Sequence, residues 1–300
     1  MVSRITVYPD TLALSRLVLG VWRMAEWQQS AQETLNLIQQ CVDWGITTFD
    51  HADLYGDYTC EGLFGDALTL NPALRSRIEL ITKCGIKIVS KNRPEHKIKH
   101  YDTSYDHILQ SVDHSLQQLR TDYLDLLLIH RPDPLMDADQ VAAAFTHLKH
   151  SGRVRYFGVS NFLPSQFDLL ASRLDFPLVT NQIEISVMHL DAFTDGTINH
   201  LQRLRVAPMA WSPFGGGQLF GNSPKAVRLQ KSLAAVAQQL NATVDQVALA
   251  WLLIHPARIV PILGSGNLDR IASATKAEPL NLTREQWFAI WTAATGTEVP

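Results

Sequence analysis

Along the chain, short apolar runs alternate with longer stretches in which apolar residues return every three or four positions. Eight runs stand out: RLVLG (16–20), ITTFD (46–50), IELITK (78–83), YLDLLLIH (123–130), YFGVS (156–160), LVTNQIE (178–184), APMAW (207–211) and RIVPIL (258–263). Runs of that length predict strands, and the stretches between them predict helices. Residues 31–44 carry Leu35, Ile38, Cys41 and Val42 on one stripe, with Gly45 placed as a helix C-cap. Residues 107–119 align Ile108, Val112, Ser115, Leu116 and Leu119, and residues 138–150 end in KHSG, a helix stop.

Strands alternating with helices imply parallel β/α units, which either close into a barrel or lie open as a doubly wound sheet. A length of 300 residues favours a (β/α)8 TIM barrel, for which about 250 is typical. The surplus accommodates an N-terminal β-hairpin containing ITVY, two helices between 225 and 254, and a last helix near 283–294. One domain over residues 1–300 is expected.

Composition narrows the class. A hydrophobic share of 46% supports a large core, and a net charge of -3 is the wrong sign for a nucleic-acid binder. Three cysteines, Cys41, Cys60 and Cys84, form no CxxC pair and fit a reducing compartment. The N-terminal MVSRITVYPD lacks a signal-peptide stretch, and VALAWLLI (247–254) is too short to span a bilayer. A cytoplasmic protein without membrane or nucleic-acid partners is expected, as a monomer or weak homo-oligomer.

Barrel enzymes build their sites where strands end, and here the strand ends are polar. The second run ends at Asp50, the third at Lys83, the fourth at His130 and the fifth at Ser160–Asn161. The sixth carries Asn181, Gln182 and Glu184, the seventh leads into Ser212 and the eighth into Gly264–Ser265. One shared polar mouth explains such a succession. Lys83 follows an apolar run and needs a counter-charge, for which Asp50 is placed on the neighbouring strand. A cation beside Tyr55 would lower the phenol's pKa from about 10 towards neutrality and make it a proton donor. His130 could hold a substrate oxygen. The bland alternatives are a structural Asp50–Lys83 ion pair, a packed strand-end histidine at 130, and Asp53 as a loop cap. His51-x-Asp53 is half a metal site with no second dense cluster, so no metal is expected. Lys87, Lys91, Arg93, Lys97 and Lys99 read as a solvated basic loop, and Trp287 and Trp291 as packing residues.

FDHADLYG, ITKCG, LLLIHRPDP, GVSNF, NQIEIS, WSPFGGG and PILGSG stand in the order and spacing of the aldo-keto reductases. The resemblance runs from about Gly20 to the helix near residue 290 and is closest to uncharacterised bacterial oxidoreductases of that family. It implies hydride transfer from NADPH to an aldehyde or ketone, with Tyr55 as general acid, Lys83 and Asp50 supporting it, and His130 orienting the carbonyl. It further implies that Ser160, Asn161 and Gln182 hold the nicotinamide carboxamide and that Trp211 stacks on the ring. Ser212, Pro213, Phe214, Gly215, Gly216, Gly217, Gln218, Leu219, Phe220, Gly221 and Asn222 match the segment folding over the pyrophosphate. Gly264, Ser265, Gly266 and Arg270 match the adenosine 2'-phosphate end.

The chain also departs from the pattern. FGGGQLFG is no dinucleotide fingerprint, since Phe220 stands where G-x-G-x-x-G needs its third glycine. Gly266 and Asn267 replace a cation common after that serine, which weakens the preference for NADPH over NADH without abolishing it. His51 stands where a threonine is usual; it and Trp22 are expected at the substrate pocket, with Met24 and Trp27 as further candidates for its wall. The leading reading is an NADPH-dependent carbonyl reductase. A cofactor-binding regulatory subunit with little turnover, as in the family's potassium-channel auxiliary subunits, and a metal-dependent barrel hydrolase compete with it.

Overall fold

β1 (Arg4–Thr6) and β2 (Ala13–Ser15) form an antiparallel hairpin at the start of the chain. Ten more strands follow in the computed structural model, which describes residues 1–300: β3 (Val18–Gly20), β4 (Thr48–Asp50), β5 (Glu79–Cys84), β6 (Ile86–Lys87), β7 (His100–Tyr101), β8 (Leu124–Ile129), β9 (Val154–Ser160), β10 (Leu178–Glu184), β11 (Met209–Trp211) and β12 (Val260–Leu263). All eight apolar runs become barrel strands, joined in the closed order β10-β11-β12-β3-β4-β5-β8-β9. Closure through Ser160↔Gln182 and Ile262↔Val18 excludes the open doubly wound sheet. β6 and β7 make a second antiparallel pair outside the barrel, at the two ends of the stretch read above as a solvated loop.

The helices obey their stripes. Ala31–Asp43 buries Leu35, Ile38, Cys41 and Val42 and is opened by a Ser30–Glu33 capping box. Its C-cap is Trp44, with Gly45 one position further on in the left-handed region (φ +88°). Two helices, Pro224–Leu240 and Val244–Leu253, precede β12, and Arg284–Thr295 closes the chain against the first of them. In that last layer Trp251 and Trp287 stack at 4.6 Å and exchange indole N–H bonds to each other's carbonyls, at 3.1 Å each.

Alternation along the strands separates two apolar regions. Ile81, Leu126, Leu128, Val179, Met209 and Val260 fill the barrel interior together with Ile5, Val7, Leu12 and Leu14 of the β1–β2 hairpin. The hairpin therefore plugs the amino-terminal end of the barrel, and a bond from the Ala207 amide to the Val7 carbonyl (2.8 Å) ties it to the entry of β11. Leu80, Cys84, Leu127 and Ile129 point outward into the helix layer. On β5 this leaves Lys83 facing inward, one pleat above Ile81, where the apolar filling ends.

Helix Cys60–Thr69 crosses helix Tyr105–Leu119 at Gly65, where a Cβ would overlap the Gln118 carbonyl oxygen and lie 2.9 Å from the Leu119 carbonyl carbon. Both obstacles are backbone and cannot rotate away, so Gly65→Ala should destabilise the fold by about 1–3 kcal/mol or more. Urea unfolding checks this; an unchanged midpoint would mean the helices separate freely at this contact.

Candidate active site

Parallel pairing sets Asp50 opposite Ile81, so Lys83 stands two residues further up the adjacent strand, within reach of the Asp50 carboxylate. Lys83 Nζ donates to Asp50 Oδ2 (2.8 Å), to the His51 carbonyl (2.7 Å) and to Tyr55 Oη (3.1 Å). An ammonium has three protons and no lone pair, so its hydrogen-bonding capacity is complete. Burial works against its charge, but Asp50 and Tyr55 outweigh that and raise its pKa. Asp50 Oδ1 accepts from Gln182 Nε2 at 2.8 Å, which links β4 to β10 across the barrel mouth.

Tyr55 Oη receives the lysine proton and donates to no group of the chain. Its own proton is therefore free for whatever enters the mouth. The expected lowering of its pKa does not occur: burial raises it and outweighs the opposing pull of Lys83. Tyr55 is held as a neutral phenol near neutral pH. The His130 ring stands edge-on to it, with centroids 5.9 Å apart. Burial, then Lys83 and Arg131, hold His130 well below the usual imidazole range, and its Nδ1 is buried without a partner.

Ser160, Asn161, Gln182 and Trp211 meet at the exits of β9, β10 and β11. Ser160 Oγ donates to the Gln182 carbonyl (2.7 Å), and Asn161 Nδ2 donates to Ser160 Oγ (2.8 Å) and the His130 carbonyl (3.3 Å). Trp211 Nε1 donates to Asn161 Oδ1 at 2.9 Å. The Arg131 guanidinium lies 5.5 Å from the Trp211 ring centre. Beside them is a cavity of about 360 Å³ that Arg131, Asn161, Glu184, His189, Asp191 and Trp211 help to line. Asn161 (φ +62°) and Ser212 (φ +51°) both adopt the left-handed region, a strained choice for residues with a Cβ. Arg131 escaped the sequence reading, although the HRPDP stretch placed it next to a candidate.

From Ser212 to Asn222 the chain forms a short 3-10 turn, Gly215–Phe220. Gly216 and Gly217 have positive φ and open space on the Cβ side. Pro213 and Gly215 are buried and Phe220 is exposed, 5.6 Å from Phe214; Gln218, Gly221 and Asn222 are exposed. Leu219 corrects the expectation, because its side chain belongs to the core. At the exit of β12, Gly264 and Arg270 are exposed, and Ser265 Oγ accepts from the Asn267 amide at 3.2 Å. Gly266 lies flush against Trp27: a Cβ there would sit 2.5 Å from the indole ring, so a basic side chain would have to displace the ring. Trp27 thus packs against the β12 exit, while Trp22 is 56% exposed after β3.

Two expectations change in the same region, and a buried carboxylate that the sequence did not single out joins them. His51 does not line the pocket; it is fully buried, edge-on to Phe64 at 4.5 Å, and burial followed by Lys83 lowers its pKa to about 3. Asp53 is no loop cap. It accepts from Ser111 Oγ at 2.8 Å, leaves Oδ1 without a partner, and is pushed up to about 7 by burial. Glu61, bonded to Thr82 Oγ1 at 2.5 Å, has an orphaned Oε2 and is also raised to about 7, again mainly by burial. No three His, Cys, Asp or Glu side chains are grouped as metal ligands.

Residues 16–294 match the model of the Aldo/keto reductase family. The chain is 54% identical to Oxidoreductase YdhF of Escherichia coli, over the full length of both. It is 46% identical to a 6-dehydroglucose reductase of Agrobacterium fabrum, over 97% of each chain. In structure it superposes on the thermostable aldo-keto reductase Tm1743, solved with the inhibitor epalrestat, with a TM-score of 0.83 at 26% identity, covering 97% of this chain and 99% of the other.

Glu61 and His51 leave opposite marks on stability. A carboxyl raised to about 7 favours the fold at low pH and loses that contribution as pH climbs from the unfolded value through 7. A histidine lowered to about 3 loses its contribution as pH falls from 6.5. Glu61→Gln keeps an acceptor for Thr82 and removes the buried charge, so it should flatten the decline in denaturant stability between about pH 5 and pH 8. A variant less stable than wild type at the alkaline end would refute the assignment.

Proposed function

Because the chain belongs to the aldo/keto reductase family, we propose that it reduces an aldehyde or ketone to the alcohol with NADPH, Tyr55 supplying the proton. The observation that carries this reading is the Tyr55 hydroxyl, which accepts from Lys83 and keeps its own proton for a ligand. The cofactor, when bound, supplies the hydride. As negative charge grows on the carbonyl oxygen, Tyr55 passes it a proton, and the ammonium 3.1 Å behind stabilises the phenolate left. His130, kept neutral, offers a hydrogen bond that aims the carbonyl at Tyr55.

The donor set suits a nicotinamide dinucleotide. Ser160, Asn161 and Gln182 would hold the carboxamide, Trp211 offers a flat face, and Gly216 and Gly217 leave room for pyrophosphate against the backbone. Ser265 and Arg270 would take a 2'-phosphate, which supports NADPH over NADH. Arg131, Glu184, His189 and Asp191 around the cavity beside Trp211 suit a hydroxyl-rich substrate. Together with the 6-dehydroglucose reductase relative, they support a sugar-derived aldehyde. The free, buried cysteines support a reducing, cytoplasmic setting.

Tyr55→Phe should lower kcat about 10²-fold or more while NADPH affinity stays near wild type. NADPH oxidation with a panel of sugar and simple aldehydes, alongside equilibrium titration of the cofactor, measures both. Tight NADPH binding without turnover by wild type would instead indicate a regulatory subunit.

A further inference from the structure

Immediately after Tyr55, three consecutive residues adopt the left-handed conformation: Gly56 (φ +57°), Asp57 (φ +60°) and Tyr58 (φ +66°). Residues with a Cβ meet their own carbonyl in that region, and L-chains visit it singly rather than in runs. Such a turn persists only where its surroundings hold it. On the helix side it is held by the Thr59 amide bonding the Tyr55 carbonyl (3.1 Å) and Thr59 Oγ1 bonding the Gly56 carbonyl (2.6 Å).

The outer side is held by the segment between β6 and β7. Asn92 Nδ2 donates to the Asp57 carbonyl at 2.8 Å, and the Ile88 amide donates to Tyr58 Oη at 3.1 Å. The Arg93 guanidinium lies 4.7 Å from the Tyr58 ring centre, donates to the Asn92 carbonyl (2.9 Å) and meets His114 Nε2 (2.7 Å) on helix Tyr105–Leu119. Arg93 makes no ion pair; its forked donors bind this corner together.

We propose that Asn92, braced by Arg93, is a positioning residue for Tyr55, a role that rests on the reductase reading above. Asn92 fixes the carbonyl of Asp57, Asp57 stays left-handed, and the Tyr55 backbone is thereby kept where Oη reaches Lys83 Nζ at 3.1 Å. Without that bond the turn relaxes towards right-handed backbone and carries the phenol off the ammonium. A displacement of about 1 Å at a reacting group can cost about 10²-fold in rate.

The test uses the full chain, NADPH and an aldehyde that wild type reduces. N92A should lower kcat about tenfold, leave the NADPH dissociation constant within about twofold, and leave the melting temperature near wild type. Glycine occupies the left-handed region without strain, so D57G added to N92A should recover most of the lost kcat, which a general loosening of the loop would not allow. R93K, which keeps the charge and loses the fork, should lower kcat in the same direction and serves where N92A does not fold. An unchanged kcat in N92A, a proportional loss of cofactor affinity, or no recovery with D57G overturns the proposal. If wild type reduces no carbonyl at all, the reductase reading fails and takes this one with it; an active wild type with an indifferent N92A defeats this one alone.

Discussion

A lysine ammonium with 0% side-chain exposure is the constraint around which the mouth of this barrel is arranged. An isolated charge in that position would lose its proton or unfold the site. Lys83 keeps its charge because three oxygens, from a carboxylate, a carbonyl and a phenol, meet its three protons. Each acceptor then has a consequence. Asp50 spends its second oxygen on Gln182, so β10 and the Lys83–Tyr55 pair are tied to one carboxylate. Tyr55, accepting rather than donating, presents its proton outward.

That arrangement also changes how the phenol works. A lysine-acidified tyrosine would be partly ionised at rest, so only a fraction of the phenols would carry a proton. Burial keeps Tyr55 and His130 neutral while Lys83 stays charged. Under the proposed reduction the cation would act mainly on the product of proton transfer, the phenolate, and favour the transition state over the ground state.

The site depends on strained backbone supported by a rigid wall. Left-handed residues occur at the exits of β9 and β11 and in the turn after Tyr55. Each lets a short connection reverse its direction close to the mouth. The parallel ladder below supplies the rigidity, with the hairpin plug and the apolar filling beneath Lys83 leaving no room for the strands to shift.

Most of the fold and the four central residues were legible in the chain. Apolar runs of strand length separated by 3.6-residue stripes specify β/α units locally, and parallel strands place successive exits at one end. That is why Asp50, Lys83 and His130 were legible as strand-end groups, with Tyr55 following in the loop after Asp50. Other features depended on distant segments. Ring closure required β12 to meet β3, and no local pattern reports a pairing more than two hundred residues apart. The protonation of Tyr55, the burial of His51 and the raised pKa of Asp53 were set by the solvent that packing removed, a quantity composition does not encode. The grip of Asn92 on Asp57 and the indole against Gly266 are likewise contacts between loops whose paths only the assembled barrel decided.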